Sequence, residues 1–237
     1  MAPERATDRP GWPADRAALE RTQDALAAAA PPRWRPGPMP RVAGVFVCFP
    51  RGLHGRGAAG DPAWAAAALD APGRAAPVTA VVRGRAGAPY EPGLLALREG
   101  PLLEAAVRAL PERPDVVLVD ATGRDHPRRA GLALHLGAVL DLPTVGVTHR
   151  PLRAGGAWPI AQAGARSALI LDHEEVGAWM RVRAAARPLA VHAAWRTDGH
   201  TAAAVVLAGT ARGRARTPRP LRAARHAARV ARARDGG

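Results

Sequence analysis

The stretch from Pro114 to Leu152, PDVVLVDATGRDHPRRAGLALHLGAVLDLPTVGVTHRPL, restricts the fold of this chain more than any other. A short apolar run, Val117 to Val119, stops at an acid, Asp120. The polar turn Ala121 to His126 follows, and Leu132, Leu134, Leu136, Val139 and Leu140 then give a helix its apolar side. Pro143 to Val147 is a second apolar run. Strand, helix and strand within about forty residues make a βαβ unit. Runs this apolar suit strands covered on both faces, and ligands gather where such strands end, which is where Asp120 stands. Pro127 is predicted to open the helix, because proline fits the first helical position.

The flanking sequence supplies the rest of a sheet. Arg41 to Phe49, RVAGVFVCF, reads as another strand buried on both faces, with Ala43, Val45, Val47 and Phe49 on one side and Val42, Gly44, Phe46 and Cys48 on the other. Trp64 to Leu69 and Val78 to Val82 read as two more strands, and the short connections between them predict an antiparallel meander. Val176 to Val182 and Pro188 to Ala193 read as late strands, and Thr201 to Ala208 as a helix that Asp198 can cap. Asp172 to Glu175 is an acidic run whose consecutive side chains diverge, so it reads as a turn. Ala14 to Ala30 reads as a packing helix, between loose Pro-, Gly- and Arg-rich segments at 1–13 and 31–40.

Composition narrows the partners. The 237 residues, 48% hydrophobic, can bury one core, and the alanine runs are too weakly apolar to insert into a bilayer. No apolar segment backs a basic start, so no signal peptide is expected, and the lone Cys48 points to the cytoplasm. All 34 basic residues are arginine and lysine is absent, which a GC-rich genome explains. Codon usage does not explain a formal charge of +14, which favours a polyanionic partner, nucleic acid first. The segment from Ala211 carries nine arginines, of which Arg222, Arg225, Arg229 and Arg232 line one side of a predicted helix with alanines opposite. Solvated side chains and contacts to a nucleic-acid backbone are equal readings of that stripe.

Two turns carry chemistry. Pro89-Tyr90-Glu91-Pro92 holds the only tyrosine between two prolines, a stiff aromatic wedge of the kind that enters a base stack, or else a cap over the core. The helix after it is predicted to begin near Leu94 or Leu95, with Arg98 and Glu99 one turn on. His126-Pro127-Arg128-Arg129, placed at a helix N-terminus, offers N–H groups and guanidinium charge to a phosphate.

Taken together, PYEPGLLALREGP and the PDVVLVDATGRDHPRRAGLALHLG to PTVGVTH stretch resemble the endonuclease V family of deoxyinosine 3′ endonucleases, whose fold is ribonuclease H-like. The resemblance implies an α/β fold with a mixed central sheet flanked by helices. It implies an N-terminal extension at 1–40, a catalytic domain at 41–210 and an arginine-rich tail or helix at 211–237. It also implies a DNA-repair monomer acting on DNA, or alternatively RNA, and Mg²⁺, with Mn²⁺ as the substitute, to cut the second phosphodiester bond 3′ of inosine. By position, Glu99 and Asp120 match metal ligands and His149 the lysine of the family's GVAK strand. Pro89, Tyr90, Glu91 and Pro92 match the wedge, while Leu95, Ala121, Gly123, His126 and Leu152 match the pocket for the flipped base. Arg128, Arg129 and Arg150 stand where phosphate contacts are expected.

One departure runs against that role. The family's first-strand aspartate falls on Phe46, which has no oxygen to offer an ion. Losing one acid from such a magnesium site removes several kcal/mol, roughly a thousandfold in rate at ~1.36 kcal/mol per tenfold. Asp61, Asp70 and Asp198 are the acids nearest to replace it, and none has motif spacing. The competing expectation is a nuclease-fold protein that binds damaged or single-stranded nucleic acid without cutting it.

Overall fold

The computed structural model describes residues 10–53, 55–210 and 215–236; the first nine residues of the loose segment expected over 1–13 and the arginines at 212 and 214 lie outside them. Among the described residues, β1 (Val42–Cys48), β2 (Pro62–Asp70) and β3 (Val78–Arg85) form the predicted meander. The βαβ unit is β4 (Val116–Val119), α3 (Leu132–Leu140) and β5 (Thr144–Thr148). A hairpin of β6 (Arg166–Leu171) and β7 (Glu174–Met180), then β8 (Leu189–Ala193), completes one eight-stranded sheet in the order β3-β2-β1-β4-β5-β8-β7-β6. β1, β4 and β5 run parallel and the remaining pairs antiparallel, so the sheet is mixed.

Helices cover both faces. α1 (Arg16–Ala28), α2 (Leu95–Arg108) and α3 share a core with Ala43, Val45 and Val47 of β1 and with Val117 and Val119 of β4. α4 (Gly199–Thr210) and α5 (Arg219–Arg234) lie on the opposite face, over Val42, Val116 and Leu118 and over Cys48, Trp64 and Ala66. The alternation read along β1 is therefore the one observed, with Phe46 and Cys48 under α5.

α5 is seated on the sheet. Its Leu221, Ala224, Ala228 and Ala231 are buried, and β2 meets them with the alanines of its own run, so two backbones approach closely. A Cβ on Gly44 would stand 2.4 Å from the Leu221 nitrogen, so only glycine admits the start of α5 here. Arg219 pairs with Asp70 at 3.3 Å at one end. At the other, Asp235 accepts from the Trp64 indole at 2.7 Å and from Arg83. Those two donors hold the Asp235 carboxyl down to about 2.

Two elements differ from the sequence reading. α3 starts at Leu132 with Gly131 as its cap, not at Pro127. The turn runs on because the Gly131 N–H bonds the Gly123 carbonyl at 2.8 Å and Arg129 takes a left-handed φ of 56°. His126 to Arg129 is thus a loop, and the helix-terminal N–H groups expected there are not available to a phosphate. Strand β6 carries no clear signal in the sequence; its exposed and buried residues alternate weakly, and it is fixed by pairing with β7. Asp172 and His173, both with positive φ, form the hairpin turn between them.

Candidate nucleic-acid site at the strand ends

At the carboxyl ends of β4 and β5 lies a cavity of about 210 Å³, walled by Tyr90, Glu91, Pro92, Leu95, Asp120, Ala121, His126, Leu152 and, from α1, Gln23. At ~30 Å³ per liquid water it equals about seven waters, the scale of one planar base. Tyr90 stands at its rim, 48% exposed, on a turn whose Gly93 has a φ of 83°. Four of the five residues matched to the base pocket line this cavity. Gly123 does not; a Cβ there would sit 2.1 Å from the Ala193 carbonyl, so it is a close-packing position against β8.

The cavity wall is tied together by polar groups, of which His126 is singled out by the sequence while Gln23 and Asp125 are not. The Gly93 carbonyl accepts from Gln23 Nε2 at 2.9 Å and from His126 Nε2 at 3.1 Å. His126 Nδ1 accepts the Arg128 N–H, which fixes the proton on Nε2, and burial pushes this imidazole below its usual pKa despite the Gly93 bond. Because Gly93 can only accept, the Gln23 amide nitrogen must face it. Gln23 Oε1 is then a buried acceptor without a protein partner in the cavity wall. Asp125, wholly buried, accepts the backbone N–H groups of Leu152, Arg153 and Ala154 at 2.6, 2.8 and 2.8 Å. That carboxylate folds the segment after β5 so that Leu152 covers the cavity.

The acidic end is built differently. Asp120 follows β4 directly, and Phe46 follows Val45 on β1, one step beyond the paired residues Val45 and Val119. Asp120 and Phe46 are therefore neighbours in register, about 4.8 Å apart across the strands. Glu99 lies on α2, and burial, with the Asp120 charge adding and Arg98 opposing, pushes its carboxyl up to about 8. Asp120 Oδ2 accepts from Arg225 Nη2 of α5 at 2.8 Å. The Arg225 guanidinium also stands 5.5 Å from the Phe46 ring, and that of Arg229 5.7 Å.

This donor set does not fit a divalent ion. Mg²⁺ requires hard oxygens in octahedral array. The β1 position offers a phenyl ring, Asp120 is already paired with Arg225, and no three His, Cys, Asp or Glu residues converge among the described residues. None of the candidate replacements is at the site. Asp61 pairs with Arg98, Asp70 with Arg219, and Asp198 caps α4 through the Thr201 N–H and pairs with Arg33.

The other candidate cations are distributed around the rim. His149 Nδ1 accepts from Arg216 at 2.7 Å, and partial burial with the Arg216 and Arg225 charges lowers its pKa. It is therefore neutral at pH 7. Arg128 pairs with Glu20 and Asp24 of α1, and Arg129 reaches the Leu171 carbonyl and the acids of the β6–β7 turn. Both are bound within the protein and not displayed to a phosphate. Arg150 lies past the end of β5 and is exposed.

Comparison with known proteins gives one consistent answer. The profile of the family described as Endonuclease V matches residues 33–226. An Endonuclease V of Streptomyces coelicolor is 39% identical over 203 residues, 84% of each chain. The crystal structure of Endonuclease V from Streptomyces avermitilis aligns with a TM-score of 0.84 at 33% identity, covering 96% of this chain and 97% of that one. That of Ciona intestinalis Endonuclease V, in complex with a 24mer DNA containing an inosine followed by a ribo-adenosine, shares the fold at a TM-score of 0.72 and 21% identity, over 92% and 98% of the chains. The architecture is the ribonuclease H-like one of these metal-dependent nucleases.

Proposed function

Because the chain belongs to the endonuclease V family, we propose that it acts on deoxyinosine in DNA as a repair protein of nuclease type whose cutting step is impaired. The cavity between Tyr90, Ala121, His126 and Leu152, open beside Asp120, is the observation that carries this reading. Tyr90 and the flanking prolines part the stack, and the base turns into the cavity. The hypoxanthine N1–H is a donor suited to the free Gln23 acceptor. The phosphodiester 3′ of the base then falls at the Asp120 and Glu99 end. There the family's ion, Mg²⁺ or Mn²⁺, would polarise the phosphate, and the donor set left by Phe46 would grip it too weakly for full-rate cutting. The protein works as a monomer in the cytoplasm, on DNA or alternatively RNA.

A second reading, binding without any cutting, is favoured by one specific contact, the Arg225–Asp120 pair. The two separate on an inosine-containing duplex incubated with Mg²⁺ or Mn²⁺. Slow nicks 3′ of inosine that vanish in Glu99→Ala and Asp120→Ala support the impaired nuclease. Binding with no nicks above background leaves the reader alone, and no preference for inosine over an A·T control defeats both.

A further inference from the structure

We propose that Arg225 is a resident cation standing in for the divalent ion, so that the chain anchors a nucleic-acid phosphate without metal. The inference rests on the family reading above for where the ion would lie. Its own support is the chemistry of the three groups that meet there. With Phe46 on β1, the matched acids that remain are Glu99 and Asp120, and the Arg225 guanidinium pairs with the Asp120 carboxylate at 2.8 Å. The aromatic ring that removed the ligand also attracts the replacement, since a cation near a phenyl face gains from its quadrupole.

Arg225 is held in place by the element that carries it. α5 is fixed by Leu221 on Gly44, by Arg219 on Asp70 and by Asp235 on Trp64 and Arg83. A side chain on such a helix is no loose arginine that strayed toward an acid. It also keeps donors in reserve. Nη2 binds Asp120 and Nε, without a partner among the described residues, is buried, so the donors left for a phosphate are the remaining Nη hydrogens of a guanidinium that has five N–H donors in all. One turn along α5, Arg229 is exposed beside the same ring and has no hydrogen-bond partner among the described residues. Arg225 and Arg229 together present a planar, permanently charged surface to a phosphodiester, where the family relies on an ion.

The test compares binding of an inosine duplex and an A·T control duplex in EDTA and in excess Mg²⁺, by fluorescence anisotropy. Unchanged affinity in EDTA is expected; binding that requires Mg²⁺ overturns the inference and needs no variant. Arg225→Gln should weaken both duplexes about tenfold and lower the slope of log K against log salt by about one. Arg108→Ala, at the far end of α2, should change neither. The spin signal of Mn²⁺ gives a readout independent of cleavage. The wild type should leave Mn²⁺ free, and folded Phe46→Asp/Arg225→Gln should take it up. A Mn²⁺ site in the wild type that Asp120→Asn abolishes, or none in the double variant, overturns the placement of Arg225. Loss of preference for inosine with EDTA-resistant, Arg225-dependent affinity intact defeats base reading and leaves this inference standing.

Discussion

The cleft has two ends that can be set side by side. At one, Leu95, Ala121, His126 and Leu152 enclose a cavity behind an exposed Tyr90, and the groups matched to base recognition are assembled. At the other, Phe46 and Arg225 occupy the ground beside Asp120, and the groups matched to hydrolysis are incomplete. The two ends are supported by different parts of the chain: α1 and the segment anchored by Asp125 for the cavity, α5 for the acidic end. Reading a base and breaking a bond are therefore separable where these supports differ, although α2 carries both Leu95 and Glu99 and Ala121 follows Asp120 directly.

The sharpest way to probe that contrast is to rebuild the acidic end alone. Phe46→Asp/Arg225→Gln should raise Mg²⁺-dependent nicking 3′ of inosine by roughly a thousandfold, about 4 kcal/mol, while Phe46→Asp alone gains little because Arg225 still holds Asp120. Gel assays of a labelled duplex decide it, and equal rates in the single and double variants would sink the separation. The cavity end is tested by Asp125→Ala, which strands one buried and two part-buried N–H groups, at about 1–3 kcal/mol for a fully buried one. A loss of more than about 3 kcal/mol by urea melt is expected, together with loss of inosine preference.

Acid should act on stability as well. Burial pushes His135 from its ordinary 6.5 to about 4, and His192, fully buried beside Asp125, moves the same way. The unfolded chain takes up protons that the fold refuses. Stability is therefore whole above pH 6.5 and declines as pH falls toward 4, by about 3 kcal/mol for His135. Thermal melts across that window should show the drop, and His135→Phe should remove the His135 share of it and leave that of His192. Next in size, Tyr90→Ala should cost about 1–3 kcal/mol in binding an inosine duplex if the ring stacks on a base. The smallest effect expected is that of Gln23→Leu, about 1 kcal/mol lost for inosine and nothing for the A·T duplex. Equal losses on both duplexes would move Gln23 from base reading to mere support of Gly93.

Much of this was legible in the residues because the signals are local. β1, β2, β4 and β5 follow from largely apolar runs and β3 from a valine-rich one, and the wedge turn from two prolines around a tyrosine. The start of α3 was not, since Pro127 is a good first-turn residue by itself and only the Gly131–Gly123 bond moves the helix onward. Gln23 looked like any polar position on a packing helix until Gly93, 70 residues away, took its amide. Asp125 sat unnoticed between more suggestive neighbours, because its three partners lie 27 to 29 residues on. The arginine stripe on α5 was visible, but its meeting with Asp120 spans 105 residues and has no sequence signature. Phe46 was legible as a lost ligand and illegible as a gained host for a cation.

Gly44 touches neither the cavity nor the acids, yet α5 rests on its bare backbone. A single methyl added there would act as a fulcrum, prising up the near end of the helix and tilting Arg225 away from Asp120. The counterion of the acidic end is thus under remote leverage, and one atom group placed beneath the helix would expose Asp120 without altering any residue that meets it.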